Sequence, residues 1–383
     1  MFPNAVKLFS LSGFDIKVDP GWLIIASLVT WSLSQRYFPD ILPGISGTAH
    51  LMMGLAGMFG LFASLLLHEL AHSAVAQHLG VPIKSVTLFI FGGIAELGAE
   101  PSSARDEFWI ALAGPVMSLC LAFGSWTFAQ AAWLVFSSQA VVEVISYLAL
   151  VNLVLAIFNM VPAFPLDGGR VLRAYLWYRN GDVLAATQIA AKSGTFFGYL
   201  LMALGVMALF RGAFGAGLWQ LLIGGFVLIA ARASYATQLA RSVFEDKAVD
   251  ALMERHPITV GPDMTLSEFV NQIMLVHGVN FVPVVEGNVL LGHFDQTVLS
   301  GIDRENWGNT CVGDVFVGLD QDAMVVPQLP ISGLMEVIAR TGRRKFLVVS
   351  DHHLLGVITL ADLTEFLSQN NLAKHQQKAA PRN

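Results

Sequence analysis

Charge is what this sequence has least of. Only 13% of its 383 residues are Asp, Glu, Lys or Arg, about half of the ~25% usual in soluble domains, while 55% are hydrophobic. That balance excludes an ordinary water-soluble enzyme. The net charge of −6 excludes a nucleic-acid partner, which needs a basic surface. Cysteine is nearly absent: Cys120 and Cys311 are the only two. This excludes a disulfide framework and fits a reducing compartment. Lys7 and Lys17 precede the first apolar run, but no small-residue cleavage site closes it, so no cleavable signal sequence is expected.

What the chain has instead is long apolar runs. Six segments, 21–35 (extending into 38), 50–79, 107–136, 140–160, 193–210 and 216–238, have roughly the ~20 residues that a bilayer crossing needs. Pro162 and Pro165 end the fourth. Residues 5–19 alternate (Val6, Leu8, Phe14, Ile16, Val18), which predicts short strands at the membrane surface. Ser85 to Leu97, SVTLFIFGGIAEL, is β-branched and aromatic around Gly92 and Gly93. It is too short to span and predicts a hairpin or re-entrant strand, which survives at that depth only when buried in protein or lining a cavity. Six spans put both ends on one side. That side holds Lys7, Lys17, Lys84, Arg105, Arg170, Arg173, Arg179, Arg241 and Lys247, against Arg36 and Arg211 on the other. It is therefore the cytosol, or stroma.

From about residue 243 the composition becomes polar enough for a soluble domain. VPVVEGNVLLGHFD (282–295) echoes FLVVSDHHLLGVIT (346–359), with Gly292 and Gly356 corresponding at a spacing of 356 − 292 = 64. Each copy reads strand, helix, strand, strand, helix, so 243–368 is expected to hold two paired α/β modules, about 248–302 and 311–368. The tail 369–383 is expected to be disordered. The expected fold class is a multi-pass α-helical membrane protein over 1–242, with about six transmembrane helices and membrane-associated β-strands, followed by a cytosolic α/β pair.

Chemistry concentrates in Leu61 to Gly80, LFASLLLHELAHSAVAQHLG. Residues four apart share a helix face, so His68 and His72 can aim two imidazoles at one metal ion, with Glu69 beside them to handle a proton. This is the HExxH pattern of zinc peptidases. In a span this apolar, such residues are rarely idle, because a charge at bilayer depth is costly. A catalytic zinc keeps three protein ligands and an open position. Asp167, in NMVPAFPLDGGR, is the best third candidate: it follows the fourth span, and Pro165, Gly168 and Gly169 make a bend that can aim it back. It can equally cap the next helix, and Glu96, Asp106 and Glu107 are rivals at similar depth. Asn159 can steady a substrate carbonyl or bond a neighbouring helix. Asn152 is read as a bond between helices, and His78 as an interfacial histidine on another face. The edge of the Gly92–Gly93 hairpin can pair with an extended peptide.

HELAH (68–72) within a span, GG at 92–93, AGP at 113–115 and FNMVPAFPLDGGR at 158–170 resemble the site-two protease family of intramembrane zinc metalloproteases over about residues 1–240. The resemblance implies that His68, His72 and Asp167 bind Zn2+, that Glu69 is the catalytic acid/base and that the region near Asn159 contacts substrate. Its expected partners are single-span transmembrane protein substrates and membrane lipid, in a prokaryotic cell membrane. The repeat resembles a tandem pair of CBS modules. GVITLADL (356–363) is similar to their nucleotide motif, with Thr359 toward phosphate and Asp362 toward ribose, so an adenine nucleotide is a second expected ligand. The first module departs from it, with Asp295 and Val298 at those positions, which leaves at most one intact site. Arg343, Arg344 and Lys345 are candidate phosphate partners. CBS pairs often stack, which implies a homodimer, and this pair is expected to control access to the cleft. The alternative is a CBS-regulated ion transporter or channel with an intramembrane metal site.

Overall fold

The computed structural model describes residues 5–11, 13–89, 92–98, 100–135, 138–287, 289–350 and 353–379. The chain divides into two units, Met1–Gln238 and Leu239–Asn383.

The first unit opens with the antiparallel strands β1 (Val6–Leu11) and β2 (Phe14–Val18). Helices α1 (Trp22–Ser32) and α2 (Phe38–Ile41) follow, then α3 (Gly47–His78), whose first turn is capped by the Ser46 hydroxyl accepting from Ala49 N at 3.2 Å. Strands β3 (Ile83–Phe89) and β4 (Gly92–Leu97) complete a four-stranded sheet in the order β1-β2-β3-β4. The rest is helical: α4 (Ala104–Val135), α5 (Gln139–Asn159), α6 (Asp167–Asn180), α7 (Val183–Phe210) and α8 (Phe214–Phe244). Strand and hairpin expectations for 5–19 and 85–97 are met, apart from residues 12, 90 and 91, which lie outside the described residues.

Among the described residues, five helices, α3, α4, α5, α7 and α8, are long and apolar enough to cross a membrane. The expected first span is helical without a break from Trp22 to Ile41, with a π-helical stretch at Leu33–Tyr37 inside it. Pro39 has no N–H for the carbonyl four residues back, and its ring crowds that carbonyl; a widened turn just before it accommodates both.

Polarity runs inside out relative to a water-soluble protein. On α3, Met52 and Phe59 are exposed, whereas Ser64, His68, His72 and Ser73 are buried. Lipid is as apolar as leucine, so the interior is where polar groups find partners. Asn152 of α5 shows it, donating to Ser64 Oγ at 2.9 Å across to α3, the interhelical bond its sequence position suggests. The sheet packs Phe14, Ile16, Ile83 and Val86 against Ala76, Val81 and Ile110. It is thereby seated on the end of α3 and the start of α4.

The second unit contains α9 (Leu266–Glu268) and α10 (Leu275–His277), joined by a π-helical stretch at Phe269–Met274. Then come β5 (Phe281–Glu286), β6 (Val289–Asp295), α11 (Gln296–Leu299), α12 (Val312–Val315), β7 (Val317–Gly318) and β8 (Met324–Val325). Helix α13 (Ile331–Thr341), strands β9 (Lys345–Ser350) and β10 (His353–Thr359), and α14 (Leu360–Ala379) end it. Two three-stranded sheets form, β5-β6-β7 and β10-β9-β8. The repeat holds at the level of register: Val282 faces Phe294 in the first hairpin and Phe346 faces Ile358 in the second, both displaced by 64 (346 − 282 and 358 − 294).

Phe244 and Val249, which precede or open the first repeat, are buried with Val325, Ile331, Leu334 and Phe346 in the second core. Hydrophobic pattern alone does not say which core a connecting segment fills. Helix α14 continues to Ala379. Residues 369–379 carry Gln, Leu, Ala and Lys, good helix formers that extend a helix already nucleated at Leu360.

Candidate metal centre

His68 and His72 lie on one face of α3, and His68 is ten residues, or ~15 Å, from its end. Asp167 opens α6. The chain reaches it through a turn in which Gly168 and Gly169 press against the backbone of Met160–Phe164; a Cβ on Gly169 would stand 2.5 Å from Ala163 C and 2.7 Å from Phe164 Cα. Only glycine allows that fold-back, and it carries the carboxylate under the helix bundle. The capping alternative fails: the N-cap of α6 is Leu166, and no side-chain cap bond is made.

The three ligand atoms converge. His68 Nε2 and His72 Nε2 lie 3.1 and 3.3 Å from Asp167 Oδ2, and 3.2 Å from each other. A tetrahedral ion with bonds of about 2.0–2.1 Å sets its ligands about 3.3–3.4 Å apart, so the spacing suits zinc. The protonation pattern agrees. His72 Nδ1 sits 2.6 Å from the Ile110 carbonyl oxygen and must donate to it, which leaves Nε2 of the neutral ring as a lone pair facing a carboxylate. His68 Nδ1 is 2.8 Å from Ser118 Oγ. A cation between the two Nε2 atoms and the carboxylate would satisfy all three in this buried site. Among the described residues no other group of three His, Cys, Asp or Glu side chains converges in this way.

Two glycines make room. A Cβ on Gly114 of α4 would overlap Nε2 of both histidines and stand 2.6 Å from His72 Cε1. A Cβ on Gly93 of β4 would lie 2.9 Å from Glu69 Cδ and 3.0 Å from Glu69 Oε1. Strand β4 therefore runs directly against the Glu69 side chain. It is one of the two edge strands of its sheet among the described residues.

The rival carboxylates are engaged elsewhere. Glu96 accepts from Ser85 Oγ at 3.3 Å, Asp106 from Ser103 Oγ at 2.7 Å, and Glu107 from Arg173 Nε at 2.6 Å. His78 is exposed at the end of α3, away from the histidine pair.

Residues 56–135 and 132–204 match the model of Peptidase family M50, and residues 249–296 and 312–369 match that of the CBS domain. Over 97% of its length the chain is 34% identical to zinc metalloprotease Rip3 of Mycobacterium tuberculosis, covering 95% of that protein. The chain belongs to peptidase family M50. This M50 chain is also 29% identical to zinc metalloprotease MJ0392 of Methanocaldococcus jannaschii, over 95% of its own length and 96% of the relative's. Among solved structures, a site-2 protease from Methanocaldococcus jannaschii aligns with 60% of the chain and 95% of its own, at 26% identity and a TM-score of 0.43.

The remaining expected site residues are less tightly placed. Asn159, the last residue of α5, is half-buried and makes no side-chain hydrogen bond among the described residues. In the CBS part, Asp362 Oδ2 accepts from Thr359 N at 2.7 Å and Thr359 Oγ1 at 2.9 Å, so the pair caps the start of α14. At the matching position of the first repeat, Asp295 accepts from Thr297 N and binds Lys345 Nζ at 2.9 Å. Arg343 pairs with Asp320. Of the basic trio, only Arg344 is exposed and unpaired among the described residues.

Sequence reasoning gave no role to Ile110 or Ser118, and none to Gly114 beyond its place in the AGP motif. With Glu107 they fall at i, i+3, i+7 and i+11, one stripe of α4. A small or polar residue at three of these four positions, Glu107, Gly114 and Ser118, was the available signal.

Proposed function

We propose that this M50 chain is an intramembrane zinc metalloendopeptidase that cleaves transmembrane segments of membrane proteins. The observation that carries the reading is the convergence of His68, His72 and Asp167 at 3.1–3.3 Å inside an apolar bundle, with Glu69 next in sequence. His68, His72 and Asp167 hold the ion. When bound, zinc supplies Lewis acidity that polarises a carbonyl and makes water acidic enough to lose a proton near neutral pH. Glu69 takes that proton as water attacks the scissile carbonyl and returns it to the leaving amine. An intact helix hides its carbonyls in internal hydrogen bonds, so the substrate must unwind locally. The β4 edge offers such a segment backbone partners, and Gly92 and Gly93 let it approach Glu69. Asn159 offers an amide to the substrate carbonyl.

The active site faces the cytosolic side of a prokaryotic membrane, as the distribution of Lys and Arg supports. The CBS unit regulates access, as a homodimer, with an adenine nucleotide at Thr359 and Asp362 once their mutual cap opens. The family match leaves the ion-transporter alternative without support. The deciding experiment is Glu69→Gln in the full chain, with zinc content and cleavage of a reporter membrane helix measured together. Zinc stays at one per chain and cleavage falls at least ~100-fold; a variant that still cuts at the wild-type rate rules the mechanism out.

A further inference from the structure

One stripe of α4 serves the metal centre at three points. Ile110 and Ser118 hold the two imidazoles by Nδ1, and Gly114 bares their Nε2 faces. The fourth member of the stripe, Glu107, reaches a different element. Its carboxylate is fully buried, and Arg173 of α6 grips Oε1 with Nε at 2.6 Å and with Nη2. Arg170 Nε stands 4.0 Å from the same oxygen. Arg173 is itself buried, and its guanidinium lies 5.2 Å from the centre of the Phe164 ring, in the turn that delivers Asp167.

Fold stability alone is a weak reason to keep such a pair. A buried ion pair is often matched or exceeded by apolar residues of similar volume. Here the second oxygen, Glu107 Oε2, is also buried without a partner, which adds to its unfavourable side. What the pair does supply is a fixed distance between the helix that orients both histidines and the helix that begins with the third ligand. We infer that Glu107 and Arg173 are positioning residues: a strut that holds α6, and with it Asp167, at zinc-ligand distance from His68 and His72. The inference rests on the zinc-peptidase reading above.

The test uses the full-length protein in lipid nanodiscs. The double variant Glu107→Met, Arg173→Met keeps side-chain bulk and removes both buried charges together. Zinc affinity is measured by chelator competition, the cobalt-substituted absorption spectrum reports ligand geometry, and melting of the metal-free protein reports the fold. The expected result is zinc affinity weaker by ~10-fold or more with a shifted cobalt spectrum, while the metal-free protein melts no lower than wild type. Unchanged affinity and spectrum overturn the strut and leave Glu107 and Arg173 as packing. Arg173→Lys, which retains both charges but not the planar two-point grip, is read in parallel and decides the matter if the double variant fails to accumulate. Its expected result is the same weakening and spectral shift, and wild-type values refute the strut. A wild-type protein that binds no zinc would instead sink the metal-centre reading itself.

Discussion

Replacing Gly114 by alanine adds one methyl group, and the structure says where it lands. In a helix interior the change gains up to ~1 kcal/mol of propensity, so α4 by itself favours it. At this position the new Cβ overlaps both Nε2 atoms and stands 2.6 Å from His72 Cε1, where carbon pairs rest at about 3.5–4.0 Å. The shortfall is about 1 Å, several times the ~0.2 Å tolerance of a metal–ligand bond. The rings have little room to turn aside, because Ile110 O and Ser118 Oγ hold their Nδ1 atoms from the same helix. Giving up either bond costs ~1 kcal/mol or more in a buried site. The expected outcome is a metal-free protein within ~1–2 kcal/mol of wild type in stability, with zinc below about a tenth of an equivalent per chain and no detectable cleavage. Elemental analysis after dialysis, a thermal melt and a reporter-cleavage assay on one preparation measure all three. A Gly114→Ala protein that keeps one zinc and cuts normally would refute the reasoning, because the two imidazoles would then not face α4 as described.

Gly93→Ala is the complementary case: the methyl group meets Glu69 rather than the histidines. Zinc content should be unchanged while kcat falls ~100-fold, and loss of zinc in step with activity would count against it. In the CBS part, burial and then the Arg343 guanidinium hold the His293 imidazole below its usual range, and its Nδ1 is buried without a partner. Asp295, Asp320 and Lys345 are the other charges that act on it. With the folded value depressed, the unfolded chain takes up protons first. The second unit should therefore lose stability as pH falls below about 6.5, continuing down to the folded value. His293→Val, which installs the residue found at the matching position 357, should flatten that dependence in melts from about pH 7.5 to 5; equal slopes in both proteins would contradict the assignment.

Much of this architecture was readable from the sequence, because the chemistry that defines it is local. HELAH sets two imidazoles on one helix face by spacing alone, and FPLDGGR carries its own bend. The 64-residue repeat names its own register. What could not be read depends on how one element is rotated against another. Gly114 and Ser118 matter only because α4 turns that stripe toward α3. Glu107 looked like a rival ligand because it is acidic and at the right depth; Arg173, 66 residues away, takes it out of contention. The π-helical turn in the first helix follows from Pro39, a local signal masked by the apolar run around it. The assignment of Phe244 and Val249 to the second core has no local signal, since any apolar segment between two cores suits either.

That last feature bears on how the CBS part can be handled in isolation. The family-model boundary falls at residue 249, yet the hydrophobic centre of the second repeat includes Phe244, stacked at 6.0 Å on Phe366. A fragment trimmed at that boundary leaves a phenylalanine-sized hole, worth ~3–5 kcal/mol, and exposes one face of Phe366. Starting the fragment near Leu239, within what would otherwise be discarded as the end of a membrane helix, keeps the plug in its socket.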